Sequence, residues 1–84
     1  MEGTQTSEVE RSPTFGEKAV GLSFNPSGDP HVQAVKSAYA QIIDLLNAIL
    51  NQTDSNEKIR HLNLAMNDAE TAQMRAVKAI TWKD

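Results

Sequence analysis

The apolar positions of this 84-residue chain gather in two long stretches, and both repeat at helical spacing. Val32, Val35, Tyr39, Ile42, Leu46 and Ile49 follow one another at intervals of three and four, one continuous stripe over about five helical turns. A second row, Ala38, Ile43, Leu45 and Leu50, widens it. After a polar break the pattern resumes with Ile59, Leu62, Met66, Ala69, Gln73, Ala76 and Ile80, flanked by Ala65, Ala72, Val77 and Ala79. Small residues in the second half of this seam permit close helix approach, and Gln73 is placed to fix register through a hydrogen bond to a neighbouring subunit. The pattern predicts helices over about 30–51 and 55–81, roughly 33 and 39 Å long at 1.5 Å per residue. Joined by a short break, they make an antiparallel two-helix hairpin in an all-α fold. An isolated hairpin leaves the outer half of each apolar band uncovered, so the expected product is a compact homo-oligomer of hairpins packed side by side.

The polar residues between these stretches carry start and stop signals. Thr14 and Glu17 have the spacing of a capping box and Gly21 can end the helix so begun, which predicts a short helix over roughly Phe15 to Val20. Asn25-Pro26-Ser27-Gly28 matches a type I turn, with Pro fixing φ at the second position and Gly at the fourth. Asp29 then serves as N-cap and Pro30 as first helical residue, where a missing N–H costs nothing. Asp54 with Glu57 predicts the start of the second long helix. Residues 1–13 are polar and acidic with almost no large apolar side chain, which predicts a disordered arm before a helical hairpin domain over 14–84.

Composition narrows the classes of function. A chain this short buries only about 60% of its unfolded surface, so the core is thin and self-association is the route to more buried area. It has no cysteine, hence neither a disulfide framework nor a thiolate metal site, and fits a reducing compartment. The formal charge of −3 argues against a partner such as polymeric DNA or RNA. All of that charge lies in residues 1–29, with two cations against five carboxylates, whereas residues 30–84 carry six of each. No apolar run approaches the ~18 residues of a membrane span and the first 13 residues lack a signal-peptide core, so a soluble, intracellular protein with no membrane partner is expected.

Catalytic chemistry finds no support in the motifs. Phosphate-binding loops, dinucleotide turns and nucleophile elbows are missing. His31 and His61 have no second ligand at metal spacing, and Asp44, Asp68 and Glu70 lie off the apolar seams as solvated carboxylates, so no metal, cofactor or enzymatic activity is expected. Ligand binding is harder to dismiss. The turn Asn25 to Gly28 and the helix start at Pro30 present backbone N–H groups and a positive dipole end, with Phe24 beside them and Lys36 two turns on. Phosphate groove, cation and stacking aromatic are the parts of a nucleotide site. Each also has a plain structural explanation: Phe24 as a staple against Val32 or Tyr39, Lys36 as a solvated cation, Gly28 for the turn. Asp29, moreover, occupies the place an anion would take. Arg60, Arg75 and Lys78 lie off the second seam, where copies from several subunits can converge on an axis around an anion. Trp82 is expected to anchor the end of the hairpin, or to stack a base.

Two segments, "FGEKAVGLSFNPSGDPHVQAVKSAYAQIIDLL" and "RHLNLAMNDAETAQMRAVKAITW", resemble the phage helical-hairpin family that includes the second anti-CBASS protein and the first Thoeris anti-defence protein. The likeness runs from about Phe15 to Trp82, and its most specific marks are Asn-Pro-Ser-Gly-Asp-Pro and Ala-Gln-Met-x-Ala-Val-Lys-Ala-Ile-Thr-Trp. The resemblance implies a homo-oligomeric sponge, commonly a hexamer, in the cytoplasm of the infected bacterial host. Such a protein binds cyclic di- and trinucleotides, such as cyclic GMP-AMP and cyclic tri-AMP, without cleaving them, and so keeps the immune effector inactive. Carried over by position, Phe24 stacks a base, Asn25, Ser27 and Gly28 shape the pocket, and Lys36 pairs with a phosphate. Arg60 and then Arg75 are the residues for a trinucleotide site on a threefold axis. Relatives carry tyrosine as the stacking aromatic; here Phe24 or Phe15 takes that place and the phenolic hydrogen bond is lost. The inserted β-rich region of the Thoeris branch is absent, which points away from cyclic ADP-ribose isomers. The alternative is an oligomeric hairpin adaptor that binds a host or phage protein through its acidic arm.

Overall fold

The computed structural model describes residues 11–84, and three helices lie among them: α1 (Phe15–Val20), α2 (Pro30–Leu50) and α3 (Asn56–Thr81). Residues 1–10 of the expected arm lie outside the described residues. Of the rest of that arm, Arg11 grips the Glu17 carboxylate with both guanidinium nitrogens, at 3.0 and 3.2 Å. That contact, with the Thr14 backbone N–H, holds the Glu17 carboxyl below its ordinary range.

Each helix is delimited by the chemistry of a few side chains. At the head of α1, Thr14 Oγ1 accepts from the Glu17 N–H at 3.1 Å and Glu17 Oε1 accepts from the Thr14 N–H at 3.0 Å, the reciprocal capping box. Gly21 ends the helix in the left-handed conformation (φ 62°), its N–H reaching the Lys18 carbonyl and that of Leu22 the Glu17 carbonyl. Asp29 caps α2, its carboxylate accepting from the His31 N–H at 2.8 Å with Pro30 in the first position. The cap of α3 is Ser55 rather than the expected Asp54. The N–H groups of Gln52 and Thr53 close the end of α2 on the carbonyls of Ile49 and Leu50, Thr53 Oγ1 accepts from the Ser55 N–H, and Ser55 Oγ accepts from Lys58. Ser55→Ala is therefore expected to cost about 1 kcal/mol and Asp54→Ala less than about 0.5 kcal/mol, a difference of a few degrees in thermal melting.

Residues 51–55 make a tight reversal, and α3 returns antiparallel to α2 with the seam read from its sequence turned inward: Met66 and Gln73 are buried, and Ile59, Leu62, Ala69, Ala76 and Ile80 are half-buried. The inward line of α2 differs from the stripe its apolar spacing suggested. It runs Val32, Lys36, Ala40, Ile43, whereas Ile42, Leu45 and Ile49 face outward, Leu45 with 63% of its surface open. The reason is α1, which packs on α2 beside α3, so the buried line of α2 is the one that serves both neighbours. A Cβ on Gly16 would sit 2.1 Å from the Ala40 carbonyl oxygen, so α1 and α2 touch backbone to backbone. The core is correspondingly thin: Val20, Ala40, Ile43 and Met66, with Tyr39, Leu46, Leu50 and Ala69 packed around them.

Two further side chains are placed differently from expectation. Asp44 is not a solvated carboxylate: Oδ2 accepts from Thr14 Oγ1 and Oδ1 from the Gly16 N–H, each at 2.7 Å, so it holds the start of α1. An acid here also suits the positive end of that helix. Trp82 is no packing anchor within the chain. It is 63% exposed, its indole N–H donates to Asp84 at 3.3 Å, and Lys78 lies over its ring at 5.8 Å.

Candidate functional site

The end of α1, the turn after it, the first turns of α2 and the last turns of α3 line an open cavity of about 640 Å³. Its lining is largely apolar, with Val20 and Val32 from one side and Met74 and Val77 from α3. Phe24, 70% exposed, forms part of the wall. Among the described residues its charged lining is Lys18 and Lys36, with no carboxylate. A volume of this order, mostly apolar with a few convergent polar groups and a positive bias, suits an organic anion with a flat hydrophobic part.

Lys36 is the structural centre of this wall. It is only 5% exposed, and its ammonium donates to the carbonyl of Gly21 at 2.9 Å and to that of Phe24. A buried ammonium needs such acceptors, since removal from water disfavours its charge. The two bonds clamp residues 21–24 over the start of α2 and bring Nζ within 5.6 Å of the Phe24 ring centre. This cation is neither solvated nor free: it is committed to two backbone carbonyls.

The turn beyond Phe24 is similarly self-contained. The Gly28 N–H closes on the Asn25 carbonyl at 3.1 Å, and Ser27 Oγ donates to Asn25 Oδ1 while accepting from the Asp29 N–H. Asn25 Nδ2 donates to the Asp29 carbonyl. Gly28 has φ 69° and does not line the cavity; its place is in the turn.

Of the residues expected at a site, Phe24, Asn25, Ser27 and Lys36 thus meet at one cavity. Arg60 and Arg75 do not join them. They are exposed on α3, 15 residues or about 22 Å apart along its axis. Arg60 is held by both oxygens of Glu57, at 3.1 and 3.0 Å, which lowers the Glu57 carboxyl and raises the guanidinium from their ordinary values. Arg75 has no side-chain partner among the described residues. The sequence reading missed Lys18, Met74, Val77 and Thr81 as cavity residues, and it assigned Gln73 to a helix seam alone. A polar residue in the middle of an apolar seam was the available signal for Gln73. The other four carry none, because α1 and the end of α3 meet only in the folded chain.

Among the described residues no group of three or more His, Asp or Glu side chains is placed to hold a metal, and no helix is long and apolar enough to cross a membrane. Comparison with curated proteins and with solved structures gave no match. The family profile described as Acb2/Tad1, hairpin domain, matches residues 17–81, which takes in the end of α1, the turn, both long helices and so nearly every wall of the cavity. With well over half of its length matched, the chain belongs to the Acb2/Tad1 hairpin-domain family, the anti-CBASS and anti-Thoeris sponges.

Proposed function

We propose that this protein sequesters cyclic di- and trinucleotide second messengers in the cytoplasm of an infected bacterium and releases them unaltered, so that their effectors stay inactive. The observation that carries the reading is the cavity between α1, α2 and α3. Its charged lining is two lysines, and Phe24 offers an open aromatic face at the same place. Ring stacking and phosphate pairing are the two contacts every cyclic nucleotide supplies, whatever its bases. Among the described residues no acid–base pair lines the cavity, which suits a binder that acts by stoichiometry rather than turnover.

The working unit in this proposal is a homo-oligomer, a hexamer being the expected size. Ile42, Leu45 and Ile49 on α2, and Leu64 and Met74 on α3, are large apolar side chains left open by the single chain, and copies of the hairpin are the natural cover. A trinucleotide site on a symmetry axis would draw on Arg75, which has no side-chain partner among the described residues, ahead of Arg60, which would have to leave Glu57.

Calorimetry with cyclic GMP-AMP, cyclic di-AMP, cyclic di-GMP and cyclic tri-AMP tests the proposal. Binding to at least one is expected at micromolar protein, and heating the complex should release the ligand intact. Absence of binding to all of them, or recovery of a linear product, rejects it. Removing residues 1–13 should leave the affinity largely in place, whereas an adaptor acting through that arm would lose its activity.

A further inference from the structure

The polar groups that line the cavity divide sharply into those already committed within the chain and those that are not. Lys36 is committed to two carbonyls. Asn25 and Ser27 are committed to each other and to Asp29. Thr81 donates to the Val77 carbonyl at 2.8 Å. Gln73 is the exception within the wall: it is 4% exposed, and its side chain makes no hydrogen bond among the described residues. Among the described residues no fully enclosed side-chain nitrogen or oxygen is left without a partner, so both carboxamide atoms of Gln73 keep a part of the small area that stays open. Lys18, exposed and also part of the lining, has no side-chain partner among the described residues.

A buried carboxamide with nothing to bond is costly, and a helix seam of this kind accommodates a leucine or methionine without that cost. The retained group presents a donor and an acceptor side by side in the lining of that cavity. Adenine offers the matching edge: its 6-amino group donates, and a ring nitrogen next to it accepts, the pairing that glutamine makes with adenine in nucleic-acid recognition. We propose that Gln73 is the specificity-determining residue of this cavity, its carboxamide pairing with the donor–acceptor edge of an adenine whose phosphate is met by Lys18. The committed groups, Lys36, Asn25 and Ser27, build the wall and do not choose the base. This assignment rests on the cyclic-nucleotide reading above. It differs from a role for Gln73 in fixing register between subunits, which would turn the same amide toward a second chain.

The test is calorimetry on the full chain with cyclic di-AMP and with the analogue lacking both 6-amino groups, together with oligomeric mass and thermal melting. Wild type should bind the analogue at least tenfold more weakly than cyclic di-AMP. Gln73→Met keeps length and volume but removes both hydrogen-bonding groups. It should bind cyclic di-AMP at least tenfold more weakly than wild type, lose the discrimination between the two ligands, and keep the oligomeric mass with an equal or higher melting temperature. Equal affinity of wild type and Gln73→Met for cyclic di-AMP overturns the assignment while leaving the sponge reading intact. A changed oligomeric mass in Gln73→Met also overturns it, in favour of the register role. Binding of cyclic di-GMP but not of cyclic di-AMP by wild type removes the adenine assignment alone, whereas binding of no cyclic nucleotide at all removes the sponge reading and this assignment with it.

Discussion

Lys36→Ala is expected to destabilise the protein by about 2–4 kcal/mol, a fall of more than 10 °C in melting temperature for a domain of this size. The loss has two parts. The carbonyls of Gly21 and Phe24 lose a charged donor, and the stem of a side chain that is 5% exposed leaves a void between α2 and the turn. Lys36→Met separates these parts. It refills the void and removes the cost of holding an ammonium out of water, so about half of the stability should return. Ligand affinity should not return with it, because the clamp on residues 21–24 is still missing and Phe24 is no longer held. From the sequence, Lys36→Ala reads as the loss of one phosphate contact of about 1.5–3 kcal/mol in an otherwise intact protein. The burial of Lys36 changes that expectation, and Lys18→Ala becomes the substitution that should weaken phosphate binding without moving the melting temperature. Circular dichroism melts beside calorimetry on the three variants distinguish the two accounts.

Gly16→Ala is expected to be at least as damaging, at about 3 kcal/mol or more. The added Cβ would meet backbone, 2.1 Å from the Ala40 oxygen and 2.9 Å from its carbon, and backbone in the middle of a long helix cannot turn aside as a side chain can. Relief requires α1 to lift from α2. That breaks both hydrogen bonds to Asp44 and exposes Val20, and a helix of six residues has no stability of its own. Amide hydrogen exchange should therefore show α1 unprotected while α2 and α3 remain slow, and ligand binding should fall because α1 supplies one wall of the cavity. Gly28→Ala is the useful contrast. Nothing lies within 4 Å of its Cβ position, so only the left-handed backbone (φ 69°) resists it, at a cost of about 1–2 kcal/mol and with α1 in place.

The legibility of this chain follows from how local each determinant is. The capping box at Thr14, the stop at Gly21 and the Asp29-Pro30 start depend on neighbours within a few residues, and all three form as their sequence suggests. Ser55 against Asp54 was a choice between adjacent cap residues, decided by hydrogen bonds that finish α2 and invisible to a spacing rule. The α3 seam was readable because α2 is by far its main neighbour and sets its inward face, α1 touching it only slightly. The inward line of α2 was not, since a second neighbour competes for it and brings Lys36 and Ala40 inside at the expense of Ile42 and Leu45.

The same distinction governs the site. Phe24, Asn25 and Ser27 could be grouped from sequence because one turn contains them, and Lys36 because it follows at helical spacing. Lys18, Gln73 and Thr81 reach the cavity from elements up to 63 residues apart in the chain, and only the docking of α1 and α3 on α2 brings them to it. By itself, then, the sequence determined the two ends of α1, the start of α2 and which segment could form a turn, since those are short-range contests between side chain and backbone. The tertiary structure alone decided which groups are already bonded and which remain open to a ligand. Whether a carbonyl lies within reach of Lys36, or no partner within reach of Gln73, depends on distances between segments far apart in the chain.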